Sequence, residues 1–209
     1  MCFFFAFDFL FRSLTFGDYE NRYEKGIVFR NAFATIVVDG SEQECSVPTK
    51  KLIEQSFYSG KKKKHSITLL AAVAPKDGYI YWISESYQGS KSDQEMCEFP
   101  ENRFWEHITS EEYIIADKGF RGLDRFHKNI CIPFFNDVDQ EPIKQFNNEL
   151  AHYRIIVENV FSAIKKWKIC THALELKFTE IKDALNKHNK IWSVVAYLIN
   201  KYHSFAQRI

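Results

Sequence analysis

Apolar and polar positions fall in blocks along the chain, and the period of the blocks changes part-way. Residues 34–40, Ala-Thr-Ile-Val-Val-Asp-Gly, form a β-branched run that stops at Asp39-Gly40. This predicts a first core strand closed by a turn. Residues 66–74 are apolar on both faces, with Ile67, Leu69, Ala71 and Val73 on one and Leu70, Ala72 and Ala74 on the other. Such a strand belongs in the middle of a sheet. The turn residues Pro75-Lys76-Asp77-Gly78 lead into the aromatic and β-branched residues 79–83, so the two segments predict an antiparallel hairpin. Tyr113-Ile114-Ile115-Ala116 is a short apolar run that ends in Asp117, with Gly119 and Gly122 close behind, and it predicts a further buried strand. Residues 129–134 predict one more, ending near Pro133.

From about Ile143 the period becomes helical. Ile156, Val160 and Ile164 recur at i, i+4 and i+8, with Trp167 following, and form one apolar stripe. Arg154, Glu158 and Lys165 share another face of the same helix. Residues 184–202 predict a last helix, apolar through Leu185, Ile191, Val194, Val195, Leu198 and Ile199 and basic through Lys182, Lys187, Lys190 and Lys201. A short helix follows a cap at Ser92 or Asp93, and residues 101–112 are helical or irregular. The polar stretch 41–65 ends in Lys61-Lys62-Lys63-Lys64-His65, read either as a solvated loop or as a phosphate-contacting patch. The order of elements is that of an α/β domain. If its first and fourth strands are neighbours, their carboxyl ends set Asp39 beside Asp117, where open α/β sheets place ligands.

Length and composition narrow this picture. The chain has 209 residues, fitting one domain, and 45% hydrophobic content with 20 Phe, enough for an aromatic-rich core. A formal net charge of +1 excludes a uniformly basic surface, so any affinity for nucleic acid must come from local patches. The five cysteines are scattered and lack a CxxC pair, which argues against a disulfide framework or a zinc ribbon and for a reducing compartment. The aromatic run at residues 3–11 is too short to span a bilayer and is interrupted by Asp8. It is expected to be a docking helix or strand, or the remnant of a longer N-terminal region, and no membrane partner is expected.

Each acidic residue has an ordinary reading: a turn at Asp39, a turn at Asp117, a helix cap at Asp93, a surface pair with Arg154 at Glu158. Their joint placement has another. Asp39 and Asp117 at adjacent strand ends, with Glu158 on a helix packed over that edge, would repel one another unless a cation neutralised them. All-oxygen ligands favour Mg²⁺ or Mn²⁺, and two such ions held by shared carboxylates suit in-line displacement at a phosphodiester.

Five segments in order resemble the DDE superfamily endonucleases, specifically the PIF/Harbinger-type transposases and related insertion-sequence enzymes. They are Val37-Val38-Asp39-Gly40-Ser41-Glu42, Tyr58-Ser59-Gly60 with the lysine run, Gly89-Ser90-Lys91-Ser92-Asp93, Ala116-Asp117-Lys118-Gly119-Phe120, and Arg154-Ile155-Ile156-Val157-Glu158-Asn159-Val160-Phe161 with Lys165. The resemblance implies an RNase H-like mixed five-stranded sheet flanked by helices, with extra C-terminal helices. Residues 31–209 would then be the nuclease catalytic domain and residues 1–30 an N-terminal extension. It further implies catalytic Asp39, Asp117 and Glu158, a divalent metal held by these three and Asp93, and DNA phosphate contacts from Lys61, Lys62, Lys63, Lys64, His65, Arg154 and Lys165. The expected substrate is DNA, cut and joined in a two-metal mechanism. Residues 1–30 are too few for a DNA-reading helix-turn-helix module, so the expectation is a truncated copy, a partial gene model or a subunit that depends on a separate DNA-binding protein for sequence specificity, and homo-oligomerisation stays open. The expected location is the nucleus, or the cytoplasm if the host is prokaryotic. The alternative is a truncated or domesticated copy that binds DNA or protein without cutting.

Overall fold

The computed structural model describes residues 14, 16–47, 51–134, 140–175 and 181–203. The aromatic run at 3–11 lies outside them. The chain opens with helix α1 (Tyr19–Glu24), capped by the Asp18 side chain, which accepts from the Asn21 N–H. Strands β1 (Ile27–Phe29) and β2 (Ala32–Glu44) follow, then α2 (Lys51–Phe57), β3 (Tyr58–Ser59), β4 (Lys64–Val73), β5 (Ile80–Ile83) and β6 (Tyr87–Gln88). After α3 (Asp93–Glu98) come two 3₁₀ turns, then β7 (Tyr113–Ile115), two more 3₁₀ turns and β8 (Ile130–Cys131). Three helices complete the described fold: α4 (Glu141–Lys165), α5 (Lys168–Thr171) and α6 (Ile181–Tyr202).

All eight strands join one mixed sheet, with the central order β3-β4-β2-β7-β8. Strand β2 is antiparallel to β4 (Val37 opposite Val73, Asp39 opposite Ala71) and parallel to β7 (Val37 opposite Ile115). The strand that leads to Asp117 is therefore a neighbour of the strand that carries Asp39, which meets the condition on which their juxtaposition depended. The 66–74 and 79–83 segments form the expected antiparallel pair. The sheet has more strands than the expected five because β1, β3 and β6 add short pairings to its ends.

Period-2 alternation gives the sheet two buried faces. Val37, Leu69, Ala71, Val73 and Ile115 pack under α4 and α6 through Val157, Val160, Ile164, Trp192 and Val195. Ile36, Val38, Leu70, Ala72, Ile114 and Ala116 pack on the other side against Met96, Phe104 and Phe120. This accounts for strands that read as continuous apolar runs. A buried ion pair locks the second layer. Arg22, 1% exposed, donates from Nε and Nη2 to both carboxylate oxygens of Glu112 at 2.6 and 2.7 Å. Its remaining donors reach the carbonyls of Phe16, Gly17 and His107.

Three expectations change. Asp39-Gly40 does not end the first strand; β2 runs on to Glu44, and β4 pairs with it to the end. Trp167 does not extend the apolar stripe of α4. The helix ends at Lys165, the chain turns, and Trp167 stands 45% exposed at the head of α5. The inner face of α6 is more polar than its pattern suggests, since His188, Asn189 and Ser193 are buried there. The Asn189 amide donates to the Ser84 carbonyl at 2.6 Å, and His188 Nδ1 pairs with the Ser86 hydroxyl at 2.7 Å. Burial holds the His188 imidazole well down, at about 3, so it is neutral.

Candidate active site

The site forms where four elements meet over the middle of β2. Asp39 lies on the α4 face of the sheet and accepts a 2.8 Å bond from the Gly40 N–H. Asp117 follows β7 and heads the 3₁₀ turn Lys118–Phe120, yet its side chain makes no capping bond in that turn. The carboxylate is instead turned to α4, where Arg154 Nη1 lies 3.1 Å from Asp117 Oδ1 and Nη2 lies 3.5 Å from Asp39 Oδ2.

Asp93 arrives from a different element. Ser92, not Asp93, caps α3. Its hydroxyl accepts from the Glu95 N–H while the Glu95 carboxylate accepts from the Ser92 N–H, a reciprocal capping box. This leaves the Asp93 side chain free of the cap. It sits against the backbone of β2 at Gly40, where any Cβ would collide with Oδ1, and against Gly119, where a Cβ would stand 2.8 Å from Oδ2. Two glycines, one in a strand interior and one in a turn, make room for a single carboxylate. Close approach of this kind is what a strand glycine often marks.

The three aspartates line a cleft of about 240 Å³ together with Ser41, Glu42, Thr68, Lys61, Lys62, Arg154 and Lys165. A second cleft of about 300 Å³ adjoins it through Glu42, Lys62 and Lys165 and adds Lys64, Ser66 and Thr171. The electrostatics are strained. Burial raises Asp39 above the usual carboxylate range, and Asp117 adds to that, against the opposing pull of the Gly40 N–H, Arg154 and Lys61. Burial, then the Asp39 charge, pushes Asp93 up to about 6. Burial and the neighbouring Lys62 lower Lys165, which Glu42 opposes.

The sequence-derived residues divide as follows. Asp39, Asp93, Asp117, Arg154, Lys165, Lys61 and Lys62 come together in the cleft. Lys64 lines the adjoining one and pairs with Glu44 at 2.8 Å. Lys63 occupies the exposed turn before β4 with φ +55°, His65 packs edge-on against Tyr58, and neither lines either of these two clefts. Glu158, one turn after Arg154 on α4, is exposed and does not line the cleft. Glu42 and Thr68 had no role assigned from sequence. Extending β2 past Asp39-Gly40 places Glu42 opposite Thr68, three residues along the same strand from Asp39.

Among the described residues no three His, Cys, Asp or Glu side chains form a ready ligand set for a metal ion. The donor chemistry nonetheless fits a hard divalent cation. The acidic donors are carboxylate oxygens, and the two glycines cradle one of them. The nearest counter-charge is the Arg154 guanidinium, with Lys61 adding to it.

The profile of the DDE superfamily endonucleases matches residues 38–200, the span from the strand bearing Asp39 to the last turns of α6. The chain belongs to the DDE superfamily endonucleases. It is also 26% identical, over 140 residues, to a probable transposase for insertion sequence element IS702 from Microchaete diplosiphon. That alignment takes in 66% of this chain and 48% of the relative, so the chain matches about half of the relative's length. No solved structure matches the chain. The family assignment is at the level of the superfamily, and the PIF/Harbinger branch remains a finer reading of the motif wording. The relative is cyanobacterial, which gives the nuclear expectation no support and suits the prokaryotic alternative. No helix among the described residues is long and apolar enough to cross a membrane.

Proposed function

We propose that this DDE endonuclease domain is a divalent-metal-dependent DNA nuclease of transposase type, with an RNase H-like arrangement of sheet and helices. The observation that carries this reading is the convergence of Asp39, Asp93 and Asp117, from three separate elements, in a cleft walled by Lys61, Lys62, Arg154 and Lys165. A carboxylate cluster is costly to a domain that only binds DNA, and its basic wall is what a phosphodiester backbone requires.

Asp39 and Asp117, with Asp93, would hold Mg²⁺ or Mn²⁺, and Glu158 on α4 is the further carboxylate that family membership adds. Such ions supply Lewis-acid polarisation of the scissile phosphate and a nucleophilic oxygen of lowered pKa. The chain's own residues supply the rest. Lys61, Lys62 and Lys165 set the backbone phosphates over the carboxylates. Lys64 carries the same contact into the adjoining cleft, giving salt-dependent affinity without base choice. The glycine cradle and the Ser92 cap hold the Asp93 carboxylate in register.

The test is cleavage of a labelled duplex in Mg²⁺ or Mn²⁺ by the full chain and by D39A, D117A, D93N and E158Q. We expect loss of at least about a hundredfold for the first two, within the usual span for removing charge stabilisation at a reacting centre. A partial loss is expected for D93N. Full activity in D39A and D117A would end the reading. The E158Q variant measures whether an exposed carboxylate takes part.

A second reading has its own observation. Arg154 already compensates Asp39 and Asp117, and Glu158 stands outside the cleft, which suits a copy that retains DNA or protein binding without cutting. Duplex binding with no cleavage in either metal would select it.

A further inference from the structure

Arg154 sits where the family chemistry calls for a cation. Its two ion pairs, 3.1 Å to Asp117 and 3.5 Å to Asp39, join the residue that follows β7 to the middle of its parallel neighbour β2. Its side chain is only 16% exposed, yet among the described residues no acceptor reaches its buried Nε. An arginine built as a permanent clamp saturates its donors, as Arg22 does in this same chain. An arginine that leaves one buried donor orphaned incurs a standing penalty, which is removed if the side chain can leave.

We infer that Arg154 is the resident counter-ion of the cleft, held between Asp39 and Asp117 in the ion-free protein and displaced by the divalent cation. This rests on the metal-dependent reading above and adds to it a role for one positioning residue. The physical basis is charge balance. Two adjacent carboxylates need positive charge between them, and a guanidinium and a divalent cation cannot occupy that place together without strong repulsion. Displacement also has a destination. Arg154 shares the cleft with Lys61, Lys62 and Lys165, so a released guanidinium faces the groove in which a DNA phosphate would lie. The guanidinium and the ion are therefore competing ligands of one carboxylate pair, and each lowers the affinity of the other by the same factor.

The test uses the full chain without DNA. Mn²⁺ binding is measured by calorimetry for wild type, R154Q, R154K and D117N, and urea unfolding is measured in EDTA for the same proteins. The expected result is a pair of opposite changes. R154Q binds Mn²⁺ about five- to tenfold more tightly, while its metal-free form unfolds at lower urea. R154K falls between it and wild type. A residue that merely held the fold together would lower both. Equal or weaker Mn²⁺ binding by R154Q, beside wild-type binding that D117N abolishes, would overturn the counter-ion role and leave the metal site standing. Binding in none of the chains would remove the metal site and this inference with it. If R154Q does not fold, wild-type protein labelled with ¹⁵N decides the matter. The Arg154 Nε–H resonance should shift on saturation with Mg²⁺ and exchange faster with water, and a resonance that stays fixed at saturation overturns the inference.

Discussion

Two arginine–carboxylate clusters in this molecule use the same chemistry to opposite ends. In the first, Arg22 meets Glu112 with both side chains essentially out of solvent. All five guanidinium donors are used, and Glu112 also accepts from Thr35 Oγ1 and the Thr109 N–H at 2.8 Å each. Burial alone would raise the Glu112 carboxyl, but these partners outweigh it and hold it below the usual range. In the second, one guanidinium serves two aspartates at longer distances, a third aspartate lies close by, and one donor has no acceptor among the described residues. A cluster with matched charge and full hydrogen bonding is a fastening. A cluster with crowded carboxylates, raised carboxyl values and an orphaned donor is prepared for something that arrives later.

The comparison breaks most sharply at the first cluster. Arg22→Met strands Glu112 in the core and should cost about 3–5 kcal/mol of unfolding free energy. Urea denaturation checks it, and a loss under about 1 kcal/mol would contradict the fastening role. The sign of the pH dependence follows from the lowered Glu112 value. Its contribution is complete above the ordinary 4.5 and disappears as the pH falls through the folded-state value, so Glu112→Gln should flatten the acid limb of the stability curve.

Next in size is the glycine cradle. Gly40→Ala drives a Cβ into Asp93, and since β4 pairs with β2 at this position, Leu70 opposite Gly40, the strand cannot shift freely. A loss of about 1–3 kcal/mol is expected, as for overpacking, with a weakened divalent-ion site. Gly119→Ala, whose Cβ would meet only the tip of the same side chain at 2.8 Å, should cost less. Equal effects at the two positions would show that the strand, not the carboxylate, is what Gly40 accommodates.

The smallest effect has the opposite sign. Asp93 titrates near 6 in the fold against an ordinary 3.8. Between those values the unfolded chain releases its proton first, so metal-free stability falls as the pH rises from about 4 to about 6 and stays lowered above that. Asp93→Asn should remove this fall and leave the metal-free protein more stable at neutral pH, by on the order of 2 kcal/mol. Thermal unfolding in EDTA at a series of pH values reads it directly.

Much of this was legible in the sequence where one element explains itself. The apolar runs of β4 and β7, the hairpin turn at 75–78 and the i, i+4, i+8 stripe of α4 depend on local period and propensity, and they appear where the pattern puts them. What the sequence hid depends on partners far away in the chain. Asp39-Gly40 carries a turn signal, and only Asp93, reaching in from α3, explains a glycine inside a strand. The polar inner face of α6 is explained by Ser84 and Ser86, which lie some hundred residues earlier. Spacing placed Arg154, Glu158 and Lys165 on one face of a helix, but spacing cannot say which of them turns inward. That is settled by the two aspartates that meet Arg154.

The separation of the site's parts along the chain also bears on biosynthesis. Asp39, Asp93 and Asp117 emerge from the ribosome before any residue of α4, and Arg154 reaches Asp39 across 115 positions. A nascent or interrupted chain therefore carries the carboxylates without the helix that brings them their arginine. The carboxylates gain their arginine only when α4 packs over the sheet, so assembly of the cleft waits on a helix made after all three aspartates.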